Sequence, residues 1–118
     1  MNTPLYIQHR APYDGHAAAE LLDALLVSAA FGQNPTVLFH GEGVWQLLAN
    51  QTPQVYGAKS LIAQLEALPL YDVENILVER ESLESRQLKA DDLALAVRII
   101  AREEIRQLIA THFPILRF

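Results

Sequence analysis

Short apolar runs alternate with helix-forming segments along the whole chain, and this alternation restricts the fold more than any other feature. The runs are Leu5-Tyr6-Ile7 within residues 4–9, Thr36-Val37-Leu38-Phe39-His40, Ile76-Leu77-Val78 within 73–79, Leu93-Ala94-Leu95-Ala96-Val97, and Pro114-Ile115-Leu116-Arg117-Phe118. Their leucine, aromatic and β-branched content and their length suit strands. Helices are expected between them over residues 16–31, 44–49, 56–68 and 101–111, with a short helix or turn over 82–86. Several of the runs are continuously apolar, which is the pattern of strands covered on both faces. The order predicts an α/β fold: a three-layer α/β/α sandwich around a mostly parallel five-stranded sheet, flavodoxin-like in general shape. A chain of 118 residues holds one such core, so residues 1–118 are expected to form a single domain.

Local chemistry places the boundaries. Residues 16–31 are dominated by Ala, Leu and Glu, and Gly32 stands at the C′ position that favours glycine. Pro12-Tyr13-Asp14-Gly15 is turn chemistry, with Asp14 or Gly15 as the cap of that helix. Residues 56–68 carry Ala58, Leu61, Ile62, Leu65 and Leu68 on one face, and Pro69 is expected to close the helix. Over 101–111 the pattern turns Ile105, Leu108 and Ile109 inward and leaves Glu103 and Arg106 as an outward pair.

Composition excludes several functions. There is no cysteine in the chain, so disulfides, thiolate metal sites, iron–sulfur clusters and a thiol nucleophile are all excluded. Net charge is −5, from 9 Lys+Arg against 14 Asp+Glu, which disfavours direct nucleic-acid binding. Met1-Asn2-Thr3-Pro4 does not resemble a signal peptide. The most apolar stretch, Ala17 to Phe31, contains Glu20 and Asp23 and is shorter than the roughly twenty residues a spanning helix needs. A cytoplasmic location and no membrane contact are the expectation. No Lys or Arg occurs from Ala11 to Ala58, and helix 16–31 is apolar nearly all round. Such a helix needs cover on nearly every side, which points to contact with another subunit.

In parallel α/β sheets, ligands sit beyond the carboxyl ends of the strands. Those ends carry His9, Arg10, Tyr13 and His16, then His40, Gly41 and Glu42, then Glu79 and Arg80. His9, His16 and His40 converging on one edge could serve as acid–base groups or metal ligands. Equally, loop tips are polar in any protein. No second carboxylate stands at ligand spacing, so no metal is assigned. Gly41-x-Gly43 lacks the third glycine of a dinucleotide loop, Gln46 taking its place, and Glu42 would repel a phosphate. No cofactor is therefore expected. Trp45 reads as an anchor, in the core or at an interface.

Four segments carry a family likeness: Leu22-Asp23-Ala24-Leu25-Leu26, Gly43-Val44-Trp45-Gln46-Leu47-Leu48 followed by Gln51, Leu70-Tyr71-Asp72-Val73-Glu74, and Ile115-Leu116-Arg117-Phe118. In that order and spacing the chain resembles the TusC/DsrF branch of the DsrE/DsrF-like sulfur-relay family over its full length. The resemblance implies a five-stranded parallel sheet and a place in a heterohexamer with two copies each of three related subunits. Its partners would be TusB/DsrH-like and TusD/DsrE-like chains. In the Tus branch such a complex passes persulfide sulfur toward 2-thiouridine at the tRNA wobble position; in the Dsr branch it serves sulfur oxidation. The TusD/DsrE-like subunit bears the relay cysteine after a central strand, and Glu79 falls about there in this chain. Gln87 stands where a glycine is expected after Arg86, so a different turn is expected at that point.

A carboxylate cannot accept sulfane sulfur. The expectation is thus a non-catalytic, non-enzymatic subunit with Leu22, Leu25, Leu26 and Trp45 at the partner interface. The alternative is a small-molecule or metal-binding α/β module built on His9, His16 and His40.

Overall fold

The computed structural model describes residues 3–11, 15–48 and 59–118, with backbone alone for 59–62. Strands β1 (Leu5–Gln8), β2 (Thr36–Phe39), β3 (Asn75–Glu79), β4 (Arg98–Ile100) and β5 (Ile115–Arg117) are joined by helices α1 (Ala17–Ala30), α2 (Lys59–Glu66), α3 (Arg80–Ser85) and α4 (Arg102–Thr111). Short 3-10 turns cover Gly41–Leu47, Leu68–Tyr71 and Ala90–Asp92. All strand pairs are parallel, in the order β4-β3-β2-β1-β5. The α/β class and the five-stranded parallel sheet are as the alternation of runs predicts.

That strand order decides where the helices go. The chain steps in one direction from β1 to β2, β3 and β4, then returns across the sheet to β5. Right-handed crossovers taken in one direction all pass over the same face. The single return must pass over the other. The first face accordingly buries Tyr6, Val37, Phe39, Ile76 and Val78 against Leu21, Leu22 and Leu25 of α1, Leu65 of α2 and Leu83 of α3. The second buries Leu5, Ile7, Leu38, Leu77 and Ile100 under Ile105 and Leu108 of α4. No residue of α4 is itself buried. The sandwich has three layers, but they are unequal.

Several local expectations are corrected. The fourth strand is Arg98–Ile100, not 93–97: Arg98, Ile99 and Ile100 stand opposite Leu77, Val78 and Glu79. The 93–97 run is apolar because it covers the first face, where Leu93, Leu95 and Val97 join the core cluster. Its backbone meets Leu47 and Leu48 instead of the sheet. Hydropathy alone cannot separate burial by packing from burial by strand pairing. The 44–49 helix is a 3-10 turn starting three residues earlier at Gly41. The 56–68 helix ends at Glu66, and Pro69 lies inside the following turn, where its fixed φ suits a first-turn position. Of its expected inward residues, Leu65 and Leu68 are buried. Ala58 and the side chains of Leu61 and Ile62 lie outside the described residues, as do Tyr13, Asp14 and Gln51. Ile109 turns toward the sheet as expected but is 36% exposed and stays outside the packed cluster that Ile105 and Leu108 join.

Two glycines do specific work. Gly32, at φ +72°, ends α1 and donates its N–H to the Ala29 carbonyl at 2.9 Å. Gly43 lies against the end of β1, where a Cβ would stand 2.3 Å from the Gln8 carbonyl oxygen. Only a glycine allows the 3-10 turn to sit that close to the strand. Gln87 adopts φ +58°, a left-handed conformation that glycine takes more easily.

Candidate functional site

Side chains alternate along a strand, so Glu79 and Leu77 of β3 share a face, as do Ile7 of β1, Leu38 of β2 and Arg117 of β5. His40, next after β2, continues that face. At the carboxyl edge the second face therefore ends in a polar row, met from above by Arg102 at the start of α4. A cavity of about 330 Å³ opens there, lined by Ile7, Leu38, His40, Glu79, Arg102, Ile105, Arg106, Ile109 and Arg117.

Glu79 is the most constrained group in this row, 5% exposed. Arg102 clamps it, donating from Nε to Oε2 at 3.1 Å and from Nη2 to Oε1 at 3.3 Å. The Ser82 hydroxyl donates to Oε1, and Ser82 Oγ in turn accepts the Gly41 N–H at 2.8 Å. Burial alone pushes the Glu79 carboxyl up. The hydrogen bonds from Arg102 and Ser82, with the Arg102 charge and that of His40, outweigh it and hold the group below its ordinary value. The network joins the end of β3, the first turn of α3, the turn after β2 and the start of α4. Arg102 N–H adds a contact to Glu81 Oε1 at 2.9 Å, and Glu104 accepts the Ala101 N–H at 2.9 Å, so the first turn of α4 is satisfied twice.

His9 and His40 lie beside each other, ring centroids 6.1 Å apart. Burial lowers the His40 pKa. Glu79 acts against this, and the positive charge of His9, Arg117 and Arg102 adds to it. A half-buried, neutral imidazole next to an ionised, fully engaged carboxylate is the resulting state at neutral pH. His16 is exposed ahead of α1 and makes no ring contact with either histidine among the described residues. Among the described residues, no group of three His, Asp or Glu could hold a metal ion.

Arg80 is exposed and reaches Glu81 at 3.7 Å. Glu42 accepts from Arg86 at 2.8 and 3.0 Å and from Trp45 Nε1 at 3.3 Å, so its charge is matched on the outer side of the turn. Leu22 and Leu25 are 3% and 0% exposed inside the chain's own core. Packed there, they do not reach a second chain, which corrects their assignment to an interface. Leu26 is half-buried, and α1 instead leaves Val27 and its C-cap Phe31 exposed, at 57% and 79%. Sequence reasoning missed Ser82, Arg102, Arg106 and Arg117 as part of the edge. For Arg117 the signal was present, because alternation from Ile115 puts it on the Ile7 face. For Arg102 and Arg106 it required the true position of β4.

This parallel sheet, with three crossovers on one face and one on the other, defines an α/β domain of the DsrE/DsrF-like class, and the chain belongs to the DsrE/DsrF-like family, whose model matches residues 5–118. More particularly, the chain is 33% identical to a "Protein TusC homolog" of Vibrio parahaemolyticus, with all of both chains covered. It is 34% identical to one of Pseudomonas aeruginosa over 95% of this chain and 94% of that one. The "Intracellular sulfur oxidation protein DsrF" of Allochromatium vinosum is 40% identical over 75% of this chain and 65% of its own length. Among solved structures, the ychN protein of E. coli superposes with a TM-score of 0.80 at 16% identity, covering 100% of both chains. That likeness concerns the fold.

Proposed function

We propose that this chain is a non-catalytic subunit of a sulfur-relay complex. The observation that carries the reading is the pairing of full-length similarity to TusC homologs with a chain that contains no cysteine. A sulfane carrier needs a thiolate that can be attacked and released. At the end of β3, about where the carriers of the family place that cysteine, this chain has Glu79. Its two oxygens are both occupied by Arg102 and Ser82, so the position is a strut.

On this reading residues 1–118 form one domain that supports the active site of a TusD/DsrE-like partner, together with a TusB/DsrH-like chain, in a cytoplasmic heterohexamer with two copies of each subunit. No direct contact with nucleic acid is invoked. No helix among the described residues is long and apolar enough to cross a membrane. Leu26, Trp45 and the exposed Val27 and Phe31 are the surface offered to the partners. The sulfur would go to 2-thiouridine at the tRNA wobble position. Sulfur oxidation is the second reading, favoured by the similarity to DsrF.

Co-expression with the two sibling chains, followed by size and composition analysis, tests the assembly. One complex containing all three chains is expected. Siblings that assemble with each other while this chain stays alone would refute the proposal.

A further inference from the structure

We propose that the cavity at the carboxyl edge of β1 and β2 binds a small organic anion with a short aliphatic body, its carboxylate held between Arg106 and Arg117. The inference concerns the isolated chain and does not depend on the sulfur-relay reading.

The chain has only 9 basic residues and a net charge of −5. Yet Arg102, Arg106 and Arg117 all line this one cavity. Among the described residues, Glu79 is the one carboxylate side chain in the lining, and Arg102 already matches it. Arg106 and Arg117 have no ion pair among the described residues. Glu81 and Glu103 line the neighbouring depression beside Arg102 and Arg106, not this cavity. Two exposed arginines on the lining of a cavity whose carboxylate is already paired favour an anion, which Arg binds through paired N–H donors.

Shape and polarity define the rest of the ligand. The floor is Ile7 and Leu38, and the α4 wall is Ile105 and Ile109. These accept a hydrocarbon body and offer nothing to inorganic sulfate or phosphate. A volume of about 330 Å³ lies at the small end of ligand sites and suits a compact ligand. The neutral ring of His40 supplies one donor and one acceptor beside the carboxylate position.

Hexanoate is a suitable probe, titrated into the full chain and followed by calorimetry and by methyl and amide NMR shifts. Saturable binding is expected with a dissociation constant on the order of 1 mM, as about eight ligand heavy atoms permit. Shifts should centre on Ile7, Leu38, Ile105 and Ile109. Arg106→Gln and Arg117→Gln should each weaken binding about tenfold, the loss typical of one charge-assisted contact. The uncharged hexanamide should not bind, and acetate should bind more weakly than hexanoate. Neither variant should move the melting temperature of the free chain. Were either to unfold, the shift map of the wild-type chain would still decide the matter. Hexanamide binding as well as hexanoate, shifts confined to another surface, or unchanged affinity in both folded variants would each overturn the proposal.

Discussion

The two faces of the sheet are built from the same strands and are used differently. The first receives α1, α2, α3 and the 93–97 run, and its cluster holds fifteen buried residues among those described. The second receives α4 alone, with five. Both faces are apolar, so composition does not separate them; the direction of the crossovers does. Three crossovers in one direction enclose a core, while one in the other leaves a cover that protects the middle of the sheet and parts from it at the carboxyl edge. That parting is where the cavity lies and where Glu79, His40 and Arg102 meet. Stability should therefore reside on the first face, and ligand chemistry should be tolerated on the second.

A matched pair of substitutions gives the most direct way to break this contrast. Ile76 of β3 and Ile7 of β1 are both interior-strand isoleucines, 3% and 2% exposed, on the first and second faces respectively. Truncating a buried isoleucine to alanine costs about 2–5 kcal/mol, depending on how far the site can collapse. Ile76→Ala leaves a hole walled by packed helices and should fall in the upper half of that range. Ile7→Ala enlarges a cavity already open at its edge under a single covering helix, and should fall in the lower half. Urea unfolding of the two variants measures the gap. Equal losses, or a larger loss for Ile7→Ala, would mean that α4 packs as firmly as the other face.

How much of this was legible in the chain follows the same division. Elements joined by short steps on the first face could be read from local signals. Gly32 marks the end of α1, and the apolar runs at β1, β2 and β3 fall within a residue or two of the observed strands. Alternation along them correctly puts Leu38 and His40, or Leu77 and Glu79, on one face. β4 could not be read, because Arg98 makes it an unremarkable sequence and its identity as a strand comes from pairing with β3. The more apolar 93–97 run is held by packing. Hidden with β4 was the cationic half of the site, since only the return crossover brings Arg102 and Arg106 back over the sheet. Leu22 and Leu25 were misassigned for a related reason. A helix apolar all round does not declare which side meets its own sheet.

The polar edge sharpens the comparison by pH. Glu79 is held below its ordinary value of 4.5, so its contribution is present above that pH and is lost as pH falls through the folded value. His40 is held below 6.5. The folded state resists protonating it, so stability also declines as pH falls below 6.5 toward the folded value. Glu79→Gln removes a buried charge whose main partner is largely exposed and can rehydrate. The expected loss is about 1–2 kcal/mol at pH 7. The gap from wild type should close as acid titrates Glu79 below pH 4.5. Without the attraction of Glu79, His40 should titrate lower still, which NMR titration of its ring protons would detect. A variant as stable as wild type at pH 7, with His40 unmoved, would reduce the clamp to a surface ion pair.

The smallest expected effect on the folded chain belongs to Phe31, and it separates folding from assembly. Leu25 and Phe31 lie at opposite extremes of the α1 region, 0% and 79% exposed. Phe31→Ser removes a ring that this chain does not bury, at the C-cap, where its backbone N–H still reaches the Val27 carbonyl at 3.2 Å. Its unfolding free energy should change by no more than about 0.5 kcal/mol. If the outer side of α1 meets a partner chain, the same substitution should weaken association with the siblings about tenfold or more, since exposed aromatics are the usual anchors of such surfaces. Normal stability with impaired co-purification would place the contact there. Normal stability with normal co-purification would move the interface off α1 and leave the core unaffected, because Phe31 takes no part in it.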